Sequence, residues 1–307
     1  MSDGPRVLIL GATGQLGLEL QRSFAGTNPL VALGREGLDL GVPTQIREVL
    51  DRVRPDVILN AAAYTAVDRA ESERELAFAI NGRAPRLLAE EAARANALLV
   101  HYSTDYVFSN RKTEPWTEED PPGPLNVYGA SKLAGEEAIR QMGGRYLIFR
   151  TSWVYGPQGK NFLFTMLRLA HERHELTVVN DQVGAPTTSI ELARATRTIV
   201  DGVLAGHYGE ASEWAGLYHM TCGGYTTWCG FAQAIFQRAG ALLEGHTPRV
   251  VPIPSRDYPT PARRPHNSVL SNARLNERFG VQLASWETAL DEVIAEVERK
   301  RLATRRD

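Results

Sequence analysis

A tyrosine and a lysine four residues apart are the side chains in this sequence best suited to chemistry. Tyr128 and Lys132 stand at the start of a predicted helix, where this spacing puts both side chains on one face. A phenol has an ordinary pKa of about 10, too high for ready proton exchange at neutral pH, and a neighbouring ammonium lowers it. The pair therefore predicts that Tyr128 donates a proton to a carbonyl oxygen while the carbonyl carbon receives a hydride.

Hydroxyl and carboxyl groups gather just upstream, in the stretch Tyr102-Ser-Thr-Asp-Tyr106. This stretch ends a predicted strand, and ligands of open α/β sheets bind beyond the carboxyl ends of the strands. Ser103 or Thr104 is therefore placed to hydrogen-bond the same carbonyl oxygen. The alternative is a turn in which these side chains bond to the backbone. Beside the Tyr–Lys pair, the catalytic interpretation is preferred.

A glycine-rich loop, Gly11-Ala-Thr-Gly-Gln-Leu-Gly17, joins the first predicted strand to the first predicted helix. Gly11 permits a tight turn, Gly14 lets a pyrophosphate approach the backbone, and Gly17 lets the helix pack closely on the sheet. The N–H groups and the dipole of the new helix then hold the phosphates. The loop alone is a weak signal, but its place after an N-terminal strand indicates dinucleotide binding.

The end of the second predicted strand, Leu33-Gly-Arg-Glu36, bears on the choice of cofactor. An acidic residue there binds the adenosine ribose hydroxyl of NAD, whereas an arginine pairs with the 2′-phosphate of NADP. Arg35 favours NADPH, but the adjacent Glu36 leaves NADH open. The alternative for Arg35 is a solvated loop residue.

Short apolar runs that do not alternate with polar residues form the framework for these groups. Such runs are typical of parallel strands covered on both faces. The predicted strands are Val7–Leu10, Leu30–Leu33, Val57–Asn60, Leu98–Ser103, Tyr146–Thr151 and Leu176–Val179. The predicted helices are Leu16–Ala25, Pro43–Val53, Glu71–Asn81, Pro85–Ala95, Tyr128–Gln141 and Trp286 to about Lys300. This alternation predicts an α/β fold with a Rossmann-like, doubly wound parallel sheet.

The regular alternation loosens after about residue 155, and a proline-rich stretch covers Val251–Pro265. We therefore predict a dinucleotide-binding Rossmann domain over residues 1–150 and a smaller, mainly substrate-binding α/β domain over residues 151–307. Segments of the second domain are expected to return to the first.

Composition narrows the class of protein. The 307 residues carry 34 basic and 36 acidic side chains, a net charge of −2, which lacks the basic excess that nucleic-acid binding needs. Two cysteines, Cys222 and Cys229, are too few for a disulfide framework or a four-cysteine zinc site. No apolar run has the roughly 18 residues of a membrane span, and the N-terminus lacks a signal-peptide pattern. We expect a soluble, cytoplasmic protein without nucleic-acid or membrane partners.

From Val7 to about Val297 the sequence resembles the extended short-chain dehydrogenase/reductases, and within them the dTDP-4-dehydrorhamnose reductase family. The whole superfamily shares the glycine loop and Tyr-x-x-x-Lys, but three longer stretches are much more specific. They are His101-Tyr-Ser-Thr-Asp-Tyr-Val-Phe108, Phe149-Arg-Thr-Ser-Trp-Val-Tyr155 and Asn180-Asp-Gln-Val-Gly-Ala-Pro-Thr187. The resemblance implies hydride transfer from NADPH or NADH to C4 of dTDP-4-dehydro-6-deoxy-L-mannose, which gives dTDP-L-rhamnose.

The resemblance also implies roles for individual residues. Tyr128 is the proton donor, Lys132 lowers its pKa and holds the nicotinamide ribose, and Thr104 hydrogen-bonds the C4 oxygen. With Arg35 added, the candidate cofactor-binding residues are Gly11, Thr13, Gly14, Gln15, Leu16, Gly17, Arg35, Asp39, Leu40, Ala62, Ala63, Tyr64, Thr65, Tyr102, Tyr128 and Lys132. The candidate contacts to the dTDP-sugar are Thr104, Asp105, Tyr106 and Trp153.

Some members of this family form homodimers around a magnesium ion that three glutamates of each chain hold. The matching positions here are Glu19, Glu191 and Glu296. Taken singly, each glutamate is typical of a solvated helix. Gathered carboxylates repel each other, and a hard cation with oxygen ligands offsets that cost. The resemblance thus implies a possible homodimer with Mg²⁺ at its interface.

Two other classes of function stay open. One is a different sugar-nucleotide 4-ketoreductase, an epimerase or a dehydratase, although a dehydratase needs a carboxylate pair and Asp105 has no acidic neighbour before Glu114. The other is a non-catalytic, dinucleotide-binding regulatory subunit of the methionine adenosyltransferase type. Intact Thr104, Tyr128 and Lys132 favour an enzyme.

Overall fold

The structure, a computed structural model, describes residues 4–27 and 29–304. Its centre is a sheet of six strands. These are β1 (Val7–Leu10), β2 (Leu30–Leu33), β3 (Val57–Asn60), β4 (Leu98–Thr104), β5 (Tyr146–Thr151) and β10 (Gly216–His219). They lie in the order β10-β5-β4-β3-β1-β2, and each neighbouring pair is parallel. This topology confirms the predicted α/β fold with a doubly wound sheet.

Helices pack on both faces of the sheet and recur throughout the second half of the chain. They are α1 (Gln15–Ser23), α2 (Pro43–Val53), α3 (Val67–Ala70), α4 (Arg74–Phe78), α5 (Ala84–Ala95), α6 (Val127–Met142), α7 (Phe162–Glu172), α8 (Ser189–Leu204), α9 (Ala211–Trp214), α10 (Trp228–Arg238), α11 (Gly240–Leu243), α12 (Ala273–Phe279) and α13 (Trp286–Thr304). None of these described helices is long and apolar enough to cross a membrane.

Alternate residues of the central strands belong to opposite hydrophobic layers. Val7 and Ile9 pack in one cluster with residues of α1 and α8, whereas Leu8 and Leu10 pack in another with residues of α2 and α5. This explains why the strands read as continuous apolar runs, since both faces of a parallel sheet are covered.

A second core joins α7, α10 and α13, with Leu163, Phe231 and Leu290 among its fully buried side chains. Short strands flank it: β6 (Val154–Tyr155), β7 (Glu175–Val179), β8 (Val183–Gly184), β9 (Thr187–Thr188), β11 (Thr226–Thr227) and β12 (Arg249–Ile253). They form three two-stranded sheets, β12-β7, β11-β8 and β6-β9.

Two strand expectations need correction. The run Leu176–Val179 is a strand, but it pairs with β12 rather than joining the central sheet. The sixth central strand is β10, which pairs with β5 after a connection of more than sixty residues. Its sequence, Gly-Leu-Tyr-His, has a single aliphatic side chain, so it lacks the apolar run that marks the equally short β1, β2 and β3.

The single helix expected over Glu71–Asn81 is also wrong in its bounds, because α4 begins only at Arg74 and continues into a π-helical turn at Ala79–Arg83. The π turn carries the buried Asn81, whose amide accepts from the backbone N–H of Tyr64 and donates to its carbonyl oxygen. This side chain thereby fixes the loop after β3, and such π turns often occur beside functional sites.

Candidate active site

A cleft of about 890 Å³ opens beyond the carboxyl ends of β1, β3, β4 and β5. Apart from Gly17, all the cofactor- and substrate-binding residues predicted above line this cleft, so the fold brings them to one place. Sequence reasoning missed Lys160 and Trp228, which also line it. Neither stands in a recognisable motif, and only the folded chain brings them to the cleft.

The glycine loop leaves one end of the cleft open to a ligand. Gly11 has φ of +80°, and a Cβ there would lie 2.8 Å from the backbone nitrogen of Ala62. A Cβ at Gly17 would lie 2.0 Å from the Gly11 carbonyl oxygen, so only glycine lets α1 start this close to β1. Gly14 caps α1 without a side-chain hydrogen bond. The N-terminus of α1 is thus fitted to hold the phosphates of a dinucleotide.

An ion pair stands where the adenosine ribose of such a dinucleotide is expected. Arg35 Nε lies 3.2 Å from Asp39 Oδ2, and the arginine side chain is 75% exposed. Asp39 is held in turn, because its Oδ1 accepts from the N–H of Gly41 at 2.8 Å. This end of the cleft therefore offers both a cation for a 2′-phosphate and a carboxylate for a ribose hydroxyl.

Tyr128 reaches the cleft because α6 begins unusually close to the end of β4. Asn126 caps the helix by accepting from the N–H of Gly129 at 2.8 Å, and a Cβ at Gly129 would lie 2.1 Å from the carbonyl oxygen of Tyr106. Tyr128 thereby lines the cleft together with Thr104. Burial raises the pKa of Tyr128 to about 12, against the opposing effect of the Thr104 hydroxyl. The phenol keeps its proton at neutral pH, as a proton donor must.

The pKa of Tyr128 shifts upward, opposite to the lowering that the sequence predicts from Lys132, because burial is the dominant cause. The Nζ of Lys132 donates to the carbonyl oxygen of Tyr102 at 2.6 Å and lies 3.2 Å from Nε2 of His101. Burial also lowers the pKa of Lys132 itself to about 8, although Glu136 opposes this shift.

The hydroxyl of Thr104 is fixed at the end of β4. It donates to Asp105 Oδ1 at 3.0 Å and accepts from the backbone N–H of Tyr106 at 3.2 Å. Asp105 is buried, and its Oδ2 has no hydrogen-bond partner within the described chain. Burial raises the pKa of Asp105 to about 6, against the lowering effect of the Ser268 and Thr104 hydroxyls.

Two stacked tryptophans form one wall of the cleft. The rings of Trp153 and Trp228 have centroids 3.6 Å apart and planes within 8° of parallel. Trp153 has φ of +47°, which is rare and costly for a bulky residue. Gly184 packs so closely on the indole that a Cβ there would lie 2.5 Å from the ring, so Trp153 has no room to shift toward Gly184. Backbone strain at a ligand-lining aromatic indicates that its orientation matters.

The three glutamates expected to bind magnesium do not form a ligand set within one chain. Glu19 pairs with Arg22 at 2.8 Å, and Glu296 lies 3.9 Å from the same arginine. Glu191 lies elsewhere and accepts from the backbone N–H of Ala284 at 2.7 Å. No group of three or more His, Cys, Asp or Glu residues able to hold a metal occurs in the part of the chain that the structure describes.

Comparison with known proteins gives consistent results. The family model described as RmlD substrate binding domain matches residues 5–299. A dTDP-4-dehydrorhamnose reductase of Burkholderia thailandensis is 48% identical over 93% of this chain and 96% of its own length. The reductase of the same name from Escherichia coli K12 is 43% identical over 95% and 97%. The crystal structure of dTDP-4-dehydrorhamnose reductase from Bacillus anthracis in complex with NADP has a TM-score of 0.86 and 36% identity, covering 95% of this chain and 99% of that one.

Proposed function

The chain belongs to the family of the RmlD substrate binding domain, and from this premise we propose that it is a dTDP-4-dehydrorhamnose reductase. It reduces the C4 keto group of dTDP-4-dehydro-6-deoxy-L-mannose to give dTDP-L-rhamnose. The observation that carries this proposal is the cleft itself, which brings buried Tyr128, Thr104 and Lys132 together with the glycine loop.

The cofactor is NADPH or NADH, as the NADP bound to the Bacillus anthracis relative suggests. When bound, it supplies the hydride. The loop from Gly11 to Gly17 and the N-terminus of α1 receive its phosphates, and Arg35 and Asp39 receive its adenosine end. Lys132 contacts the nicotinamide ribose in this proposal, since it lines the cleft with Tyr128.

Tyr128 supplies the proton. As C4 is reduced, negative charge grows on its oxygen, which becomes far more basic than a phenolate. A phenol with a raised pKa therefore still transfers its proton downhill at that stage, while remaining protonated beforehand. Thr104 lines the cleft with Tyr128, and its hydroxyl is fixed by Asp105 and by the Tyr106 N–H.

A coupled spectrophotometric assay tests this proposal. Purified protein is mixed with enzymatically made dTDP-4-dehydrorhamnose and either NADPH or NADH, and the absorbance of the reduced cofactor is followed. We expect oxidation of the cofactor, and none with dTDP-glucose, which carries no keto group. Tight cofactor binding without oxidation in either mixture would instead support a non-catalytic regulatory subunit, and interconversion without net oxidation would support an epimerase.

A magnesium-linked homodimer stays a separate prediction. No step of the proposed reaction passes through the metal. Within one chain Arg22 pairs with Glu19 at 2.8 Å and lies 3.9 Å from Glu296, and Arg194 lies 3.3 Å from Glu191. Sedimentation velocity with and without EDTA tests the prediction, which a monomer in both conditions contradicts.

A further inference from the structure

A buried chain of three side chains holds the lysine of α6. Asn60 ends β3 and lies opposite His101 of β4 in the sheet register, with its amide nitrogen 3.0 Å from His101 Nδ1. On the other side of the ring, Nε2 lies 3.2 Å from Nζ of Lys132. Each of the three residues is about 1% exposed, so bulk water does not compete for these contacts.

The charge of Lys132 decides which ring nitrogen of His101 carries the proton. An ammonium has three donors and no acceptor, whereas a neutral imidazole has one of each. Burial, followed by the charge of Lys132, lowers the pKa of His101 well below its usual range, so the ring is neutral. With a charged lysine, Nε2 must accept and Nδ1 must carry the proton.

The proton on Nδ1 then requires an acceptor, which the amide of Asn60 provides. Its Oδ1 is buried without a partner among the described residues, while Nδ2 faces the ring. Exchanging the two amide atoms, which are alike in size, gives an Nδ1–H bond to Oδ1. One amide atom of Asn60 stays unpaired in either orientation, so the contact between His101 and Lys132 determines which of the two orientations is adopted.

We propose that His101, oriented by Asn60, is a positioning residue that fixes the direction of the one free N–H donor of Lys132. The carbonyl oxygen of Tyr102 takes one donor at 2.6 Å, and His101 takes a second. Because the three donors are tetrahedrally arranged, holding two fixes the third, which remains for a ligand in the cleft. The inference rests on the proposed reduction, in which this donor meets the cofactor ribose.

The charges around Lys132 are arranged so that His101 contributes to stabilising its ammonium form. His101 and the carbonyl oxygen of Tyr102 contact Lys132 from β4, and the charge of Glu136 on α6 supports the ammonium. Tyr128 on α6 and Asp105 after β4 line the same cleft. Arg150 pairs with Glu136 at 2.6 Å and so shares the one carboxylate that supports the ammonium. An acceptor at His101 therefore stabilises the charged form.

A matched pair of variants, His101→Gln and His101→Met, tests this role. The two new side chains have similar length, but only glutamine offers an oxygen to the ammonium. The readouts are kcat/KM across the neutral and alkaline range and the NADPH Kd from fluorescence. We expect His101→Met to lower kcat/KM by about tenfold to a hundredfold, the range for losing a hydrogen bond to a charged group. In His101→Met the decline of kcat/KM at alkaline pH, which accompanies loss of the Lys132 charge, should begin at lower pH, and the NADPH Kd should rise. His101→Gln should keep most of the activity and the wild-type pH profile.

The inference is overturned if the two variants behave alike, either with unchanged profiles or with equal losses and no shift in pH dependence. Should His101→Met fail to fold, Asn60→Asp is the second variant. A carboxylate facing Nδ1–H makes the ring a stronger acceptor, so the alkaline fall should move to higher pH, and an unmoved fall overturns the inference. If the wild type does not reduce the sugar nucleotide, the proposed function fails. The difference in NADPH affinity between the two His101 variants still tests the positioning role in that case.

Discussion

Thr104 donates its hydroxyl proton to the carboxylate of Asp105, the next residue in the chain, at 3.0 Å. Its oxygen also accepts from the N–H of Tyr106 at 3.2 Å, so the hydroxyl is held in one orientation at the end of β4. The phenol of Tyr128 lines the same cleft, where an arriving keto oxygen can accept its proton. Four predictions test this arrangement and the residues around it.

Tyr128→Phe removes the acidic proton and keeps the ring. General acid catalysis is worth about 10²–10⁴-fold, so kcat should fall within that range. The NADPH Kd should change little, because Lys132 keeps its own partners. Steady-state kinetics and fluorescence titration measure the two quantities, and a kcat close to wild type would remove Tyr128 from the mechanism.

Asp105 predicts an unusual dependence of stability on pH. Its folded pKa is raised from 3.8 to about 6, so between these values the folded chain binds more protons than the unfolded chain. By linkage its contribution makes the free energy of unfolding fall as pH rises through this window, by about 3 kcal/mol in all. Asp105→Asn should remove that fall. Urea unfolding of both proteins at several pH values checks this, and parallel pH profiles would contradict it.

Lys132 predicts the alkaline limit of activity. Its pKa is lowered from 10.5 to about 8, so its charge is lost above that pH while Tyr128 stays protonated. Since kcat/KM reports groups of the free enzyme, it should decline as pH rises through about 8. Lys132→Met should be weakly active with a flat profile over the same range. A wild-type kcat/KM that is constant to pH about 9.5 would contradict this assignment.

Arg35→Ala tests which cofactor the cleft prefers. A charge-assisted pair with a 2′-phosphate is worth roughly 1.5–3 kcal/mol, so the NADPH Kd should rise about tenfold or more. The NADH Kd should stay unchanged or fall, because the substitution frees Asp39 from its ion pair. Asp39→Asn is the matched control and should weaken NADH more than NADPH. Equal effects of Arg35→Ala on both cofactors would show that Arg35 does not contact the phosphate.

The sequence predicts those parts of this molecule that rest on local patterns. The apolar strands from β1 to β5, the glycine loop and the Tyr128–Lys132 spacing each depend on neighbouring residues, and all lie as expected in the sheet or the cleft. The raised pKa of Tyr128 does not follow from the local sequence, because its dominant cause, burial, is a property of the folded chain. The place of Trp228 in the cleft does not follow from it either, since only tertiary packing sets this ring against Trp153.

Strand β10 lies far along the chain from its partner β5, and this constrains how the sheet folds during synthesis. Residues 216–219 complete the outer edge of β5, so a ribosome must synthesise more than two thirds of the chain before the six-stranded sheet can close. Until then β5 presents an unpaired, apolar edge of the kind that recruits strands from other molecules. A fragment ending near residue 150 should therefore aggregate rather than fold as an independent cofactor-binding unit, while a split placed after β10 leaves the sheet whole.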